Sequence, residues 1–223
     1  MENNEQISVP HDKQFRKINE LPPHITYQQY IELREDIMYR YNRLPDRYIY
    51  EYRRDRDRLL MEFLWETGAM LNEIINFNIG IDLDFFNGKI NLFENKREEM
   101  RIIHASDYIC SRLLEFKDKH DIITPFRVSK PTICDIFNTY SKRLGFKISA
   151  RILRNSMAIY LISQNVPLPI IAYRMGQDVS QTAKMYIKVD SEDESSFIKK
   201  IDFHGGIKND GRDRLYDIKF GRY

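Results

Sequence analysis

The sequence predicts an α+β fold that is mainly α-helical, with one small three-stranded antiparallel sheet. Three observations carry that expectation. Apolar residues recur at helical spacing through long stretches, as at Leu59, Leu60, Phe63 and Leu64. Between residues 79 and 105 the pattern changes to three short segments that are β-branched or alternating. Asn87-Gly88 separates the first two of these segments and is a strong hairpin signal.

Taken in order, residues 1 to about 20 are polar and aperiodic, which predicts a disordered segment. Leu21-Pro22-Pro23 leads to Thr26, and Gln29 three residues on completes a capping-box pattern. A helix over about 27–43 follows, with Tyr30, Leu33, Ile37 and Tyr41 inward. A second helix starts near Asp46 and breaks at Thr67-Gly68; a shorter third, over about 69–77, carries Glu73. Ile79 to Asp84, Lys89 to Glu94 and Glu99 to Ala105 are the expected strands. Ser106 then caps a helix with Ile109, Leu113 and Leu114 inward, and Ser129 with Pro131 starts another that stops at Gly145. Helices near 151–164, 168–175 and 180–188 complete the pattern. After Asp190 the chain turns acidic, then apolar at Phe197-Ile198, with Gly205-Gly206 and Gly211 beyond. The expected organisation is an N-terminal segment over 1–20, one domain over 21–189 and a partly disordered tail over 190–223.

At 223 residues, 42% hydrophobic and 30% charged, the chain can bury one good core. Lys+Arg 35 against Asp+Glu 33 leaves only +2, so charge alone does not point to nucleic acid, and any basic surface must be local. No segment approaches the ~18 apolar residues of a membrane span, and Met1 to Lys17 has no apolar signal core. A cytoplasmic protein is expected. Cys110 and Cys134 sit in apolar helical stretches without a second ligand at metal spacing, so buried reduced thiols are expected, with no disulfide, metal or cofactor.

The most informative stretch runs through Arg151-Ile152-Leu153-Arg154-Asn155-Ser156, then Val166-Pro167-Leu168, then Met175-Gly176-Gln177, to Tyr186 nine residues past Gln177. It resembles the end of the catalytic domain of the tyrosine recombinase (phage integrase) family. That family carries His-x-Leu-Arg-His, Gly-Val-Pro-Leu, Leu-Gly-His and a nucleophilic Tyr at the same spacing. The resemblance covers about residues 21 to 189. It implies attack of Tyr186 on a phosphodiester of double-stranded DNA, giving a 3′-phosphotyrosine and a free 5′-hydroxyl. Two Arg would clamp the non-bridging oxygens, a Lys would protonate the leaving oxygen, and two His would assist proton movement. By resemblance, Arg154 is the second clamp Arg and Lys96, between the second and third strands, is the mobile Lys. Thr182 lies four residues before Tyr186, as the family's Thr-x-x-x-Tyr spacing requires.

The departures are chemical. The family's Thr-Gly-x-Arg-x-x-Glu reads Thr67-Gly68-Ala69-Met70-Leu71-Asn72-Glu73, which puts Met70 in the first clamp position. Losing one donor to a developing oxyanion costs roughly 3–4 kcal/mol, about 10² to 10³ in rate. Arg151 and Gln177 stand where the family has His. An Arg there binds phosphate but is a poor proton shuttle, because it stays protonated. Glu94, Glu98 and Glu99 surround Lys96, so a solvated hairpin tip competes with the catalytic reading. Arg53, Arg54, Arg56 and Arg58 lie more than three helical turns earlier and do not replace the missing Arg; a distant substitute would be a residue such as Arg97 or Arg101.

The family's integrases also place a helical core-binding domain before the catalytic one, whereas only some 20 residues precede the match here, so a stand-alone catalytic-type domain is expected. The leading expectation is a DNA-binding pseudo-enzyme with weak or lost strand cleavage, a regulator or accessory factor of a phage or mobile element. Arg154, Arg151 and Lys96 would bind DNA phosphate, with the protein a homo-oligomer on DNA. An active integrase or invertase using a relocated cation is the alternative. A protein-interaction module without DNA affinity is the third reading. In the family the segment past the nucleophile often docks on a neighbouring subunit, which Phe197, Ile198 and Ile201 would serve here, against the simpler expectation that the tail folds on its own domain.

Overall fold

The computed structural model of the chain describes residues 21–94 and 99–186. The expectations for residues 1–20, for Lys96 and Arg97 and for the tail past Tyr186 lie outside them. The elements are α1 (Tyr27–Asn42), α2 (Tyr48–Thr67), α3 (Leu71–Asn76), α4 (Ile79–Asp82), β1 (Leu83–Asp84), β2 (Lys89–Glu94), β3 (Glu99–His104), α5 (Asp107–His120), α6 (Lys130–Leu144), α7 (Ala150–Ser163), α8 (Leu168–Met175) and α9 (Val179–Tyr186). The mainly helical α+β class with one three-stranded antiparallel sheet is what the structure shows, in the order β1-β2-β3.

Local chemistry explains most boundaries. Thr26 and Gln29 form the expected capping box at α1, and Ser106, Ser129 and Ser149 each accept an N–H in the first turn of α5, α6 and α7. Helix α2 ends because Gly68 adopts φ 61°, a left-handed conformation that closes the last turn. The first expected strand is corrected. Only Leu83 and Asp84 pair with β2, while Ile79–Asp82 coils into α4. The reason is polar capping: Asn78 Oδ1 accepts from Gly80 N at 2.9 Å, and Asp82 Oδ2 accepts from Asn78 N at 2.8 Å. These local bonds compete with the ladder and win.

Helix α2 is the central element, packed against α1, α5 and α7. Its residues Leu59 to Trp65 are all buried, Glu62 among them, so the helix is enclosed around its circumference there. The Glu62 carboxylate accepts from Arg34 Nε at 2.9 Å, Arg58 Nε at 2.9 Å and Tyr108 Oη at 2.7 Å. A buried charge is tolerated because those partners surround it. The main core gathers α1, α2, the inner sheet face and α5–α7 around residues such as Phe63, Phe77, Phe126 and Tyr140. A smaller cluster of Met157, Ala158, Ile171, Met175 and Tyr186 joins α7, α8 and α9.

Cys110 is buried as expected, but Cys134 is exposed. Helix α6 turns Ile133, Ile136, Phe137 and Tyr140 inward, which leaves position 134 on its outer side.

Gly68→Ala is expected to destabilise the fold by roughly 1–3 kcal/mol, from backbone strain at a positive φ and displacement of the Met157 methyl that its Cβ would meet. A lower urea midpoint at unchanged m-value is the expected result.

Candidate functional site

A cavity of about 690 Å³ opens where α2 ends and α7 begins, lined by Met70, Ser149, Arg151, Arg154, Asn155 and Gln177 among others. The first turn of α7 faces it. The positive end of the helix dipole favours an anion there, and Arg151 and Arg154, one turn apart, add full charges.

Arg154 is buried, because α7 packs against α2. Its guanidinium donates to the carbonyls of Gly68 and Met175. One side chain thus ties the end of α2 to the end of α8 while lining the cavity. Arg151, one turn earlier, is exposed. Met70 sits at the N-cap of α3 and lines the cavity wall, where its thioether offers only a weak acceptor. Gln177 lines the cavity too, and its Oε1 is buried with no hydrogen-bond partner among the described residues.

Tyr186 is brought beside this site, where it does not line the cavity but bonds to Asn155, which does. Its ring is buried in the α7–α8–α9 cluster, and its hydroxyl donates to Asn155 Oδ1 at 2.9 Å. Asn155 in turn donates to Pro23 O at 2.9 Å, and Ser156 Oγ accepts from Ile25 N at 2.8 Å, so α7 also anchors the segment before α1. Burial raises the Tyr186 pKa, which the nearby Arg154 partly opposes. A neutral amide oxygen accepts a hydrogen bond but does not take the proton. In this arrangement the phenol is buried, keeps its proton and is held by Asn155.

The structure therefore brings together Tyr186, Arg154, Arg151, Gln177 and Met70. Lys96 lies outside the described residues. The packing adds three contributors, of which Asn155 and Arg174 had no role assigned from sequence and Glu73 was read only as part of the Thr67–Glu73 motif. Asn155 holds the phenol; its signal was the family pattern, which has His at that place. Arg174, drawn below the ordinary guanidinium pKa by burial, donates to Glu66 O at 2.7 Å and His104 O at 2.7 Å. Glu73 Oε2 accepts from Met70 N at 2.6 Å, and the same carboxylate takes Arg101 Nε at 2.9 Å and Nη2 at 2.7 Å. Arg101 shares the inward face of β3 with Ile103, and nothing in the local pattern of β3 announces that pairing.

Comparison with known proteins matches the model of the phage integrase family over residues 40–193, well over half of the chain. The chain belongs to the phage integrase family. Tyrosine recombinase XerA of Pyrococcus furiosus is 22% identical over 137 residues, covering 56% of this chain and 48% of that relative. The match thus spans about half of XerA. Among solved structures, that of XerA recombinase aligns with a TM-score of 0.61 at 18% identity, over 81% of this chain and 65% of that one. A XerH site-specific recombinase bound to difH substrate, in a pre-cleavage complex, gives 0.63 at 18% identity over 88% and 58%. The catalytic domain of bacteriophage HP1 integrase gives 0.54 at 15% identity over 74% and 87%. At these identities the structures establish a shared fold, the tyrosine-recombinase catalytic-domain fold.

Four buried tyrosines are expected to resist ionisation. Burial pushes Tyr41 up to about 12 and raises Tyr30, Tyr140 and Tyr186 as well. Each holds its proton more tightly folded than unfolded, so this stabilisation is complete below pH ~10 and is lost as pH rises through the folded values. Spectrophotometric titration should show a late-ionising fraction that urea releases and that Tyr186→Phe reduces by one tyrosine.

Proposed function

We propose that this integrase-family protein binds double-stranded DNA through the cavity at the start of α7, and that its own strand cleavage is weak or lost. The arrangement of Arg154 carries the reading: a buried guanidinium beside an exposed Arg151 at a helix N-terminus that lines an open cavity. That combination suits a phosphate. DNA-bound relatives of the same fold, such as the XerH complex with difH, support DNA as its source.

The proton chemistry supports the second half. Arg151 offers N–H donors and no acceptor, Gln177 is a neutral amide, and Tyr186 donates to an amide. Met70 contributes no charge to a transition state that needs it. Such a protein would act by occupying sites or by partnering an active recombinase, as a regulator or accessory factor of a phage or mobile element, and as a homo-oligomer on DNA. Phosphate contacts position a protein without specifying sequence.

The deciding experiment is a native mobility shift beside a denaturing gel on nicked duplex fragments. The expected outcome is a salt-sensitive shift without a covalent adduct, little changed in Tyr186→Phe and weakened roughly tenfold or more in Arg154→Ala. A wild-type adduct that Tyr186→Phe abolishes would instead establish an active recombinase forming a 3′-phosphotyrosine. No shift at low salt would leave a protein-interaction module.

A further inference from the structure

Glu73 is a carboxylate whose side chain is only 2% exposed, three residues past the methionine that stands in an arginine's place. A buried carboxylate needs a cation. The cation it has comes from a different element. Arg101, on β3 opposite Leu92, forks onto both Glu73 oxygens, and that same carboxylate accepts the Met70 N–H. The cation that pairs with Glu73 thus comes from the sheet and not from position 70.

The remaining nitrogen of Arg101 points to a telling place. Its Nη1 donates to Arg174 O, while Arg154 Nη2 donates to Met175 O. Two guanidinium groups from distant elements therefore grip adjacent carbonyls in the last turn of α8. Gly176 leaves room for this: a Cβ there would lie 3.1 Å from Arg101 Cδ. Gln177, which follows, lines the cavity together with Met70 and Arg154. Arg101 is not among the cavity's lining residues; 10% of its side chain is exposed, and its Nη1 reaches the Arg174 carbonyl, three residues before Gln177.

We propose that Arg101 is the relocated cation of the phosphate site. When a DNA phosphate enters beside Arg154, Arg101 keeps its fork on Glu73 and exchanges the Arg174 carbonyl for a phosphate oxygen. The exchange is favourable because a charged oxygen is the stronger acceptor. The inference rests on the DNA-binding reading above and adds the residue that supplies its second buried charge.

The test is the salt dependence of binding to one duplex, measured for wild type, Arg101→Met and the double variant Met70→Arg/Arg101→Met, with thermal melts alongside. Each phosphate neutralised contributes about 0.9 to the slope of log K against log salt. Arg101→Met is expected to lose about that much slope and to bind roughly tenfold more weakly. The double variant, with the arginine moved to position 70, is expected to recover both. A folded Arg101→Met protein with the wild-type slope overturns the inference while leaving the DNA reading intact. Should Arg101→Met fail to fold, the double variant decides: the wild-type slope supports the relocation, one arginine replacing the other, and a slope steeper by about 0.9 overturns it, because Arg101 then had no phosphate contact to replace. Wild type that binds no DNA at low salt overturns the DNA reading and this inference together.

Discussion

The structure depends on arginine side chains that grip backbone carbonyls at helix ends. The last carbonyls of an α-helix have no partner within the helix, and the dipole leaves partial negative charge there. Arg154 takes Gly68 O just past α2 and Met175 O at the end of α8, Arg174 takes Glu66 O, and Arg101 takes Arg174 O. These bonds join α2, α7, α8 and β3 where the cavity forms. Because Arg154 both joins helices and lines the cavity, the group that would meet a phosphate is held rigidly before any phosphate arrives. Such preorganisation lowers the ordering cost of binding.

The same economy explains how a nearly neutral chain carries a basic site. Many of its arginines are consumed internally: Arg34, Arg58 and Arg112 on Glu62, Arg56 on Asp57, Arg143 on Asp36 and Arg101 on Glu73. Net charge therefore says little about the surface. What matters is placement, and Arg151 is set at a helix N-terminus, where its own charge gains nothing from the dipole but a bound anion gains from both. The tyrosine follows a parallel logic. Burial raises the Tyr186 pKa, and Asn155 holds its hydroxyl through one hydrogen bond.

Much of this was legible in the residues. Helix starts at Thr26, Ser106 and Ser129, stops at Gly68 and Gly145, and the β2–β3 pair rest on short-range signals that tertiary packing did not override. Where short-range signals competed, the periodicity misled: Asn78 and Asp82 favour a helical turn over the strand that Ile79 and Ile81 suggest. Cys134 was misplaced because an apolar stretch does not say which residue of a helix faces outward.

The family, the helical class and the positions of Tyr186, Arg154, Arg151, Gln177 and Met70 follow from residue order alone, since motif spacing and capping are properties of neighbouring residues. The partners of those residues belong to the folded chain. Asn155 holding Tyr186 is a bond across 31 positions, and Arg101 reaching Glu73 one across 28. Side-chain hydrogen bonds extend only about 3 Å, so which groups meet is decided by how α2, β3, α7 and α8 pack. Sequence order places a methionine at position 70; packing brings an arginine from β3 to Glu73, three residues on.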